Sequence, residues 1–113
     1  MAKRTTTFTA DASTLIGIAR KPRNSDYYIA TIFVFGSTFG SGTMAIQVSP
    51  DHGTTKITAT NSAGTAQTAT ANAVLNIQLG VGNNNTDYIE IYGTLTGSTN
   101  PSLTVSVWDG IGY

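Results

Sequence analysis

The chain has 113 residues, no formal net charge and a charged fraction of 11 %, well below the roughly 25 % of an ordinary soluble domain. This length suits one domain with one core, and the absence of cysteine excludes disulfides and thiolate metal sites. Sparse charge protects a free monomer poorly against association, which indicates a surface that neighbours cover in the working state.

Apolar runs are too short to cross a bilayer, which takes roughly 20 residues. The longest, from Ile29 to Phe35, is interrupted by Thr31 and has the length of a strand. The opening Met1-Ala2-Lys3-Arg4 leads into threonines and lacks the apolar stretch of a secretory signal. We therefore expect a protein made in a cytoplasm, with no membrane partner.

In chain order, residues 1–12 are interpreted as an N-terminal arm and residues 13–113 as the folded domain. Leu15 to Ala19 predicts a strand, and the break after it contains Pro22, which cannot donate to a ladder. The next strand, Tyr27 to Phe35, is apolar on both faces. Such a strand is either central in a sheet or has an outer face that meets a partner.

The remaining strands follow at short intervals, with period-2 alternation clearest from Thr43 to Ser49. A Thr/Ala-rich hairpin of two short polar strands comes next, and because it has little to bury we expect it to project or to lie at an edge. The other predicted strands are Val74 to Leu79, Tyr88 to Leu95 and Leu103 to Val107. Seven to nine short strands with frequent turns indicate an all-β fold, a single antiparallel β-sandwich or jelly roll.

The basic residues are concentrated near the start of the chain. Five of the six cations precede residue 24, where only Asp11 opposes them: Lys3, Arg4, Arg20, Lys21 and Arg23. Without interleaved aromatic residues they make a weak nucleic-acid footprint, so nucleic acid is not the expected partner. We interpret them as candidate contacts to a protein partner, or as a solvated end of the chain.

A turn between two strands carries the most distinctive motif. Ser49, Asp51, Gly53 and Thr55 fit the spacing of the Asp-box, S-x-D-x-G-x-T-W, with Lys56 at the place of the closing Trp. In that motif the carboxylate accepts hydrogen bonds from turn amides, so its role is to lock a hairpin. A single copy in 113 residues excludes the bladed propellers that carry several copies.

The wider context of this turn resembles small virion proteins of tailed bacteriophages. The stretch Phe33 to Gly53 has the order strand, glycine-punctuated turn, alternating strand and S-P-D turn, and the later Tyr88 to Gly97 and Leu103 to Val107 fit the usual ending. The resemblance covers about residues 27 to 108. It implies a β-sandwich virion component such as a capsid decoration (cement) protein or a head–tail accessory protein, with the major capsid protein or another virion protein as partner.

No catalytic constellation is predicted. His52 is the single histidine and stands in a turn beside Asp51, where the two side chains cannot converge like a base and its orienting acid. The acids are scattered, so we expect no enzyme, no cofactor and no metal site. Tyrosine and tryptophan are enriched at protein interfaces, and Tyr28, Tyr92 and Trp108 complete the candidate interface.

Two function classes stay open at this point. The first is a structural subunit of a virion, a homo-oligomer that binds the capsid lattice, with a tail or neck accessory protein as a variant. The second is a carbohydrate-binding module in which Trp108, Tyr92 and Tyr88 stack against sugars.

Overall fold

A computed structural model describes residues 3–80 and 86–108, and the described residues form nine antiparallel strands without a helix. The predicted all-β class and strand number are confirmed. The strands are β1 (Lys3–Phe8), β2 (Ala12–Arg20), β3 (Tyr27–Thr38), β4 (Thr43–Ser49), β5 (Ile57–Thr58), β6 (Thr68–Ala69), β7 (Ala73–Gly80), β8 (Tyr88–Thr96) and β9 (Ser102–Trp108).

The strands make one continuous sheet in the order β1-β9-β3-β2-β8-β4-β5, with β6 added to β4 and β7 to β3. The step from β3 to β2 rests on one residue pair, Arg20 with Ile29. The sheet folds over at this step, because a Cβ on Gly17 of β2 would lie 2.9 Å from the Cβ of Val107 in β9. We call β1, β9, β3 and β7 the first half, and β2, β8, β4, β5 and β6 the second half, of a β-sandwich-like domain.

The core lies between the halves and follows the period-2 alternation of the sequence. In β3, Ile32 and Val34 are buried, and in β8 the same holds for Ile89 and Ile91. Burying a side chain of this size stabilises the fold by about 1.5–3 kcal/mol. Their partners on β4 and β9 are Met44, Ile46, Val48, Leu103, Val105 and Val107.

The expected N-terminal arm is in fact a strand of the sheet. From Lys3 to Phe8, β1 pairs residue by residue with β9, and Phe8 is 3 % exposed against Leu103. One buried aromatic ring and a run of β-branched threonines, which favour extended backbone, account for the docking. Met1 and Ala2 lie outside the described residues.

The Thr/Ala-rich hairpin does not project; it closes an edge between the halves. Its two strands are shorter than expected, β5 and β6, and both pair with β4. Gln67, 6 % exposed, accepts from the amide of Asn76 in β7 at 3.0 Å and donates its Nε2 to the carbonyl of Thr65. The amide of Gln78 donates to Thr60, so the outer edge of β7 is covered.

Candidate interaction surfaces

The turn that follows β4 has the hydrogen bonds expected of an Asp-box. The Ser49 hydroxyl, 1 % exposed, donates to Asp51 Oδ1 at 2.8 Å and accepts from the amide of Gly53 at 2.8 Å. The amide of Thr55 donates to the same Asp51 oxygen at 2.7 Å. Gly53 has φ 92° and its Cα faces the Tyr92 hydroxyl, which explains the glycine at this position.

These bonds hold Asp51 in its charged form. The amide and hydroxyl of Thr55, followed by the hydroxyl of Ser49, lower the pKa of the Asp51 carboxyl because each stabilises the carboxylate. The Asp51 carboxylate thus accepts its hydrogen bonds from residues of its own turn. The arrangement is structural, as the sequence motif predicted.

The same loop crosses the outer face of the second half. Lys56 places its Nζ 4.9 Å from the centre of the Tyr92 ring and donates to Ser13 Oγ at 2.8 Å. Partial burial, with the nearby carboxylates of Glu90 and Asp51, raises the pKa of the Tyr92 hydroxyl. One face of the Tyr92 ring therefore contacts a side chain of its own chain. Tyr92, a predicted residue of the candidate interface, therefore has one ring face covered by Lys56.

His52 lies beside Glu90, the residue opposite Ser49 on β8. The distance from His52 Nδ1 to Glu90 Oε1 is 3.2 Å, with the His52 side chain 86 % exposed and the Glu90 side chain 17 % exposed. The Ser49 hydroxyl lines the same concave surface and donates to Asp51 rather than to the imidazole. The described residues also contain no group of three or more His, Cys, Asp or Glu placed to hold a metal ion.

The predicted basic residues fall into two places. Arg20, Lys21 and Arg23 line one concave surface with Asp87, whose carbonyl accepts from the Lys21 amide at 2.9 Å. Arg4 is exposed on β1, opposite Val107, and Lys3 begins that strand.

Tyr28 was wrongly placed in the candidate interface. It is 1 % exposed, and its hydroxyl donates to the carbonyl of Thr86 at 2.9 Å, so it is a core residue with a satisfied polar end. The error has a simple cause: Tyr27 and Tyr28 are adjacent, and strand alternation sends one inward and the other outward. Tyr27 is the exposed member at 46 %.

Trp108 ends β9 opposite Thr31 of β3 and is partly exposed. It belongs to the first half, whereas Tyr88 and Tyr92 belong to β8 in the second half. Tyr88 is 44 % exposed and pairs with Arg20. With Tyr92 under Lys56, the three aromatic residues proposed for sugar stacking do not lie on one open face.

An apolar surface that the sequence did not predict as a site lies on the outside of the first half. Phe33, Phe35 and Val74 are 39 %, 45 % and 54 % exposed, and Phe33 pairs directly with Val74 across β3 and β7. We call these three residues the aromatic face. Its signal in the sequence was the strand with apolar residues on both faces, for which one of the two interpretations was an outer face that meets a partner.

Uncharged polar residues lie beside the aromatic face on β9 and β1. On β9 the neighbouring positions are Thr104, opposite Phe35, and Ser106, opposite Phe33. The next strand outward places Thr5 against Ser106, with 3.2 Å between their hydroxyl oxygens. An apolar centre with an uncharged polar rim has the composition of a protein interface.

No protein-family model matches the chain, and searches of curated proteins and solved structures give no significant match. No helix in the described ranges combines the length and hydrophobicity needed to cross a membrane. The surfaces of the molecule are thus the basis for an assignment of function.

Proposed function

We propose that this chain is a structural subunit of a tailed-phage virion, specifically a capsid decoration (cement) protein. In this proposal it binds the major capsid lattice and stabilises it, and it is located in the virion after synthesis in the host cytoplasm. The observation that carries the proposal is the aromatic face, an exposed apolar surface in a chain that has little charge.

The aromatic face costs free energy while it is in contact with water. Phe33 and Phe35 leave 39 % and 45 % of their surface exposed. An aromatic side chain has about 150–250 Å² to bury, so the two rings leave roughly 170 Å² to cover, worth about 4 kcal/mol at 25 cal/mol per Å². Part of this gain is offset by the entropy lost on association, so one such contact is weak and suits a subunit that binds repeatedly along a lattice, where each copy adds to the avidity.

The assignment to a virion draws on the resemblance of residues 27 to 108 to small virion proteins, together with the composition. An uncharged rim also suits a partner with no strong electrostatic field. The tail or neck accessory role uses the same aromatic face on a different particle component, and the experiment below separates the two.

The test uses virions of the phage or induced prophage whose genome encodes the chain. We expect the chain to copurify with intact particles and, after heads and tails are separated, to remain with the heads at a copy number that matches the capsid lattice. Recovery with tails would replace the decoration role by the accessory role. Absence from washed particles would contradict a virion function altogether.

A matched pair of variants tests the contact itself. Phe35→Thr removes an aromatic ring that is 45 % exposed from the aromatic face, and Tyr88→Thr removes one that is 44 % exposed from the second half. Threonine keeps the strand propensity in both. We expect Phe35→Thr to lower the occupancy on particles at least about tenfold, with Tyr88→Thr close to wild type. The reverse order would assign the contact to the second half.

A further inference from the structure

The first half ends in a strand whose outer edge pairs with no other strand among residues 3–80 and 86–108. β1 pairs with β9 along one edge from Lys3 to Phe8, and no backbone hydrogen bond within the described ranges reaches its other edge. Unpaired amides and carbonyls along an extended strand are a template for another strand.

The other sheet edges in the described part of the chain are protected. The edge of β7 is bonded by Gln67 and Thr60, and β4 is covered by β5 and β6, strands of two residues each. The edge of β2 is interrupted by a bulge between Leu15 and Gly17. β1 has neither bulge nor proline, and its register with β9 is unbroken over the whole strand. It is thus the one long, regular edge in those ranges.

We propose that β1 is a self-association edge, at which a second copy of this chain adds its own β1 in antiparallel orientation. The proposal gives the expected homo-oligomer a specific contact and does not depend on the virion assignment. The occupant is a second copy because β1 can pair with itself without charge repulsion: its two charges, Lys3 and Arg4, lie at one end, and the chain has no net charge. An antiparallel neighbour of the same sequence keeps these charges apart, whereas a parallel neighbour would set them side by side.

The register follows from symmetry. A two-fold axis perpendicular to the sheet keeps every side chain on its own face, so facing residues must both be odd-numbered or both even-numbered. Centring the axis on Thr6 puts the two Arg4 residues four positions apart along the strand, about 14 Å. Centring it on Thr5 would leave about 7 Å, within the screening length of roughly 8 Å at physiological salt. The structure therefore favours Thr6, with Thr5 of each copy facing Thr7 of the other.

Because Thr5 and Thr7 face each other across the proposed dimer, substitutions at these positions test the dimer contact without changing a core residue. Both residues are exposed, and both stand at odd positions of β1, away from the face that buries Phe8. The variant Thr5→Lys/Thr7→Glu places opposite charges across the proposed dimer, and the variant Thr5→Lys/Thr7→Lys places like charges there. Each variant loses the same contact to Ser106, so the two are matched.

The measurement is the dimer dissociation constant of the full chain by sedimentation equilibrium at low salt, with circular dichroism to confirm the fold. We expect the wild type to dimerise and the Lys/Lys variant to dissociate at least about tenfold more readily than the Lys/Glu variant. That difference should shrink as salt is added. A register centred on Thr5 would set position 7 against Lys3 of the other copy and would also separate the variants, so this comparison tests the β1 contact and not its register.

Other results would overturn the proposal. A wild type that stays monomeric up to about 100 μM, corresponding to association weaker than about 5.5 kcal/mol, would show that β1 does not self-associate. Equal dissociation constants for the two variants would place the contact elsewhere. Phe35→Thr serves as the control, since it alters the aromatic face and should leave the dimer intact. Particle binding is scored separately, so failure of either proposal leaves the other standing.

Discussion

Replacing Gln67 by glutamate tests the hydrogen bonds by which this side chain joins the Thr/Ala-rich hairpin to β7. We call these bonds the Gln67 clasp. Gln67→Glu keeps the shape of the side chain and the oxygen that accepts from Asn76, but it removes the Nε2 donor to Thr65. At neutral pH it also introduces a carboxylate at a site that is 6 % exposed and faces a carbonyl oxygen. Burial and the facing carbonyl both disfavour the charged form, so the pKa of the new carboxyl rises on folding.

The size and sign of the effect follow from this geometry. A carboxyl whose folded pKa exceeds its unfolded value of about 4.3 destabilises the fold above that value, by about 1.4 kcal/mol per pH unit of difference. Two such units cost about 2.7 kcal/mol at pH 7. Below pH 4 the carboxyl is protonated in both states, and its O–H can donate to Thr65 as the amide did, so most of the loss returns.

The assay is urea unfolding of the wild type and of Gln67→Glu at pH 7 and at pH 4. The difference in unfolding free energy between the two proteins removes the contributions of the other acids, which both proteins share. We expect a difference of about 2–3 kcal/mol at pH 7 and less than about 1 kcal/mol at pH 4. A difference that is equal at the two pH values, or below about 0.5 kcal/mol at both, would refute the role of Gln67 as a clasp.

Three further predictions concern packing, the turn and ligand binding. Gly17→Ala should lower the unfolding free energy by about 1–3 kcal/mol, because its methyl group would meet Val107 at 2.9 Å. Thermal unfolding measures this effect, with Gly80→Ala as the control because a methyl group there has nothing within 4 Å. Asp51 has a lowered pKa in the folded state, so its contribution is present above the unfolded pKa and is lost as the pH falls through the folded pKa; Asp51→Asn should flatten this part of the acid unfolding curve. On a glycan array we expect no saturable binding that Trp108→Ala abolishes, and such binding would favour the carbohydrate-binding alternative.

Strand positions were predictable because alternation and turn residues are local signals. The strands around Ile32, Ile46, Ile91 and Val105 all lie where the period-2 pattern placed them. The hairpin lock at Asp51 was predictable for the same reason, since every hydrogen bond of that turn joins residues at most four positions apart.

Long-range partners could not be predicted in this way. Asp11 accepts hydrogen bonds from the amides of Gly97 and Ser98, 86 and 87 positions away, and these bonds with the Ser98 hydroxyl lower the pKa of its carboxyl. It thereby fastens the β1–β2 turn to the β8–β9 turn. No sequence pattern near Asp11 predicts this contact. In the same way, no pattern near Phe8 predicts the pairing of β1 with β9.

A strand that is apolar on both faces poses a different problem. Along β3 the sequence could not tell which face enters the core, because Phe33 and Phe35 are as hydrophobic as Ile32 and Val34. In the fold Ile32 and Val34 face the opposing half, and both rings lie outside. The sequence therefore predicted that one face of this strand could meet a partner, but it did not identify Phe33 and Phe35 as the exposed residues.

The two proposed surfaces both belong to the first half of the sheet, and this has a geometric consequence. A two-fold axis perpendicular to β1 leaves every side chain on its original face, so a dimer formed through β1 presents both copies of the aromatic face in the same direction. Two contacts to one lattice then act together, and the second forms at a high effective concentration. The Lys/Lys variant of Thr5 and Thr7 should thus weaken binding to particles more than the Lys/Glu variant, because both alter the rim at Thr5 but only the first loses the dimer. Phe35→Thr weakens each contact and leaves the dimer unchanged.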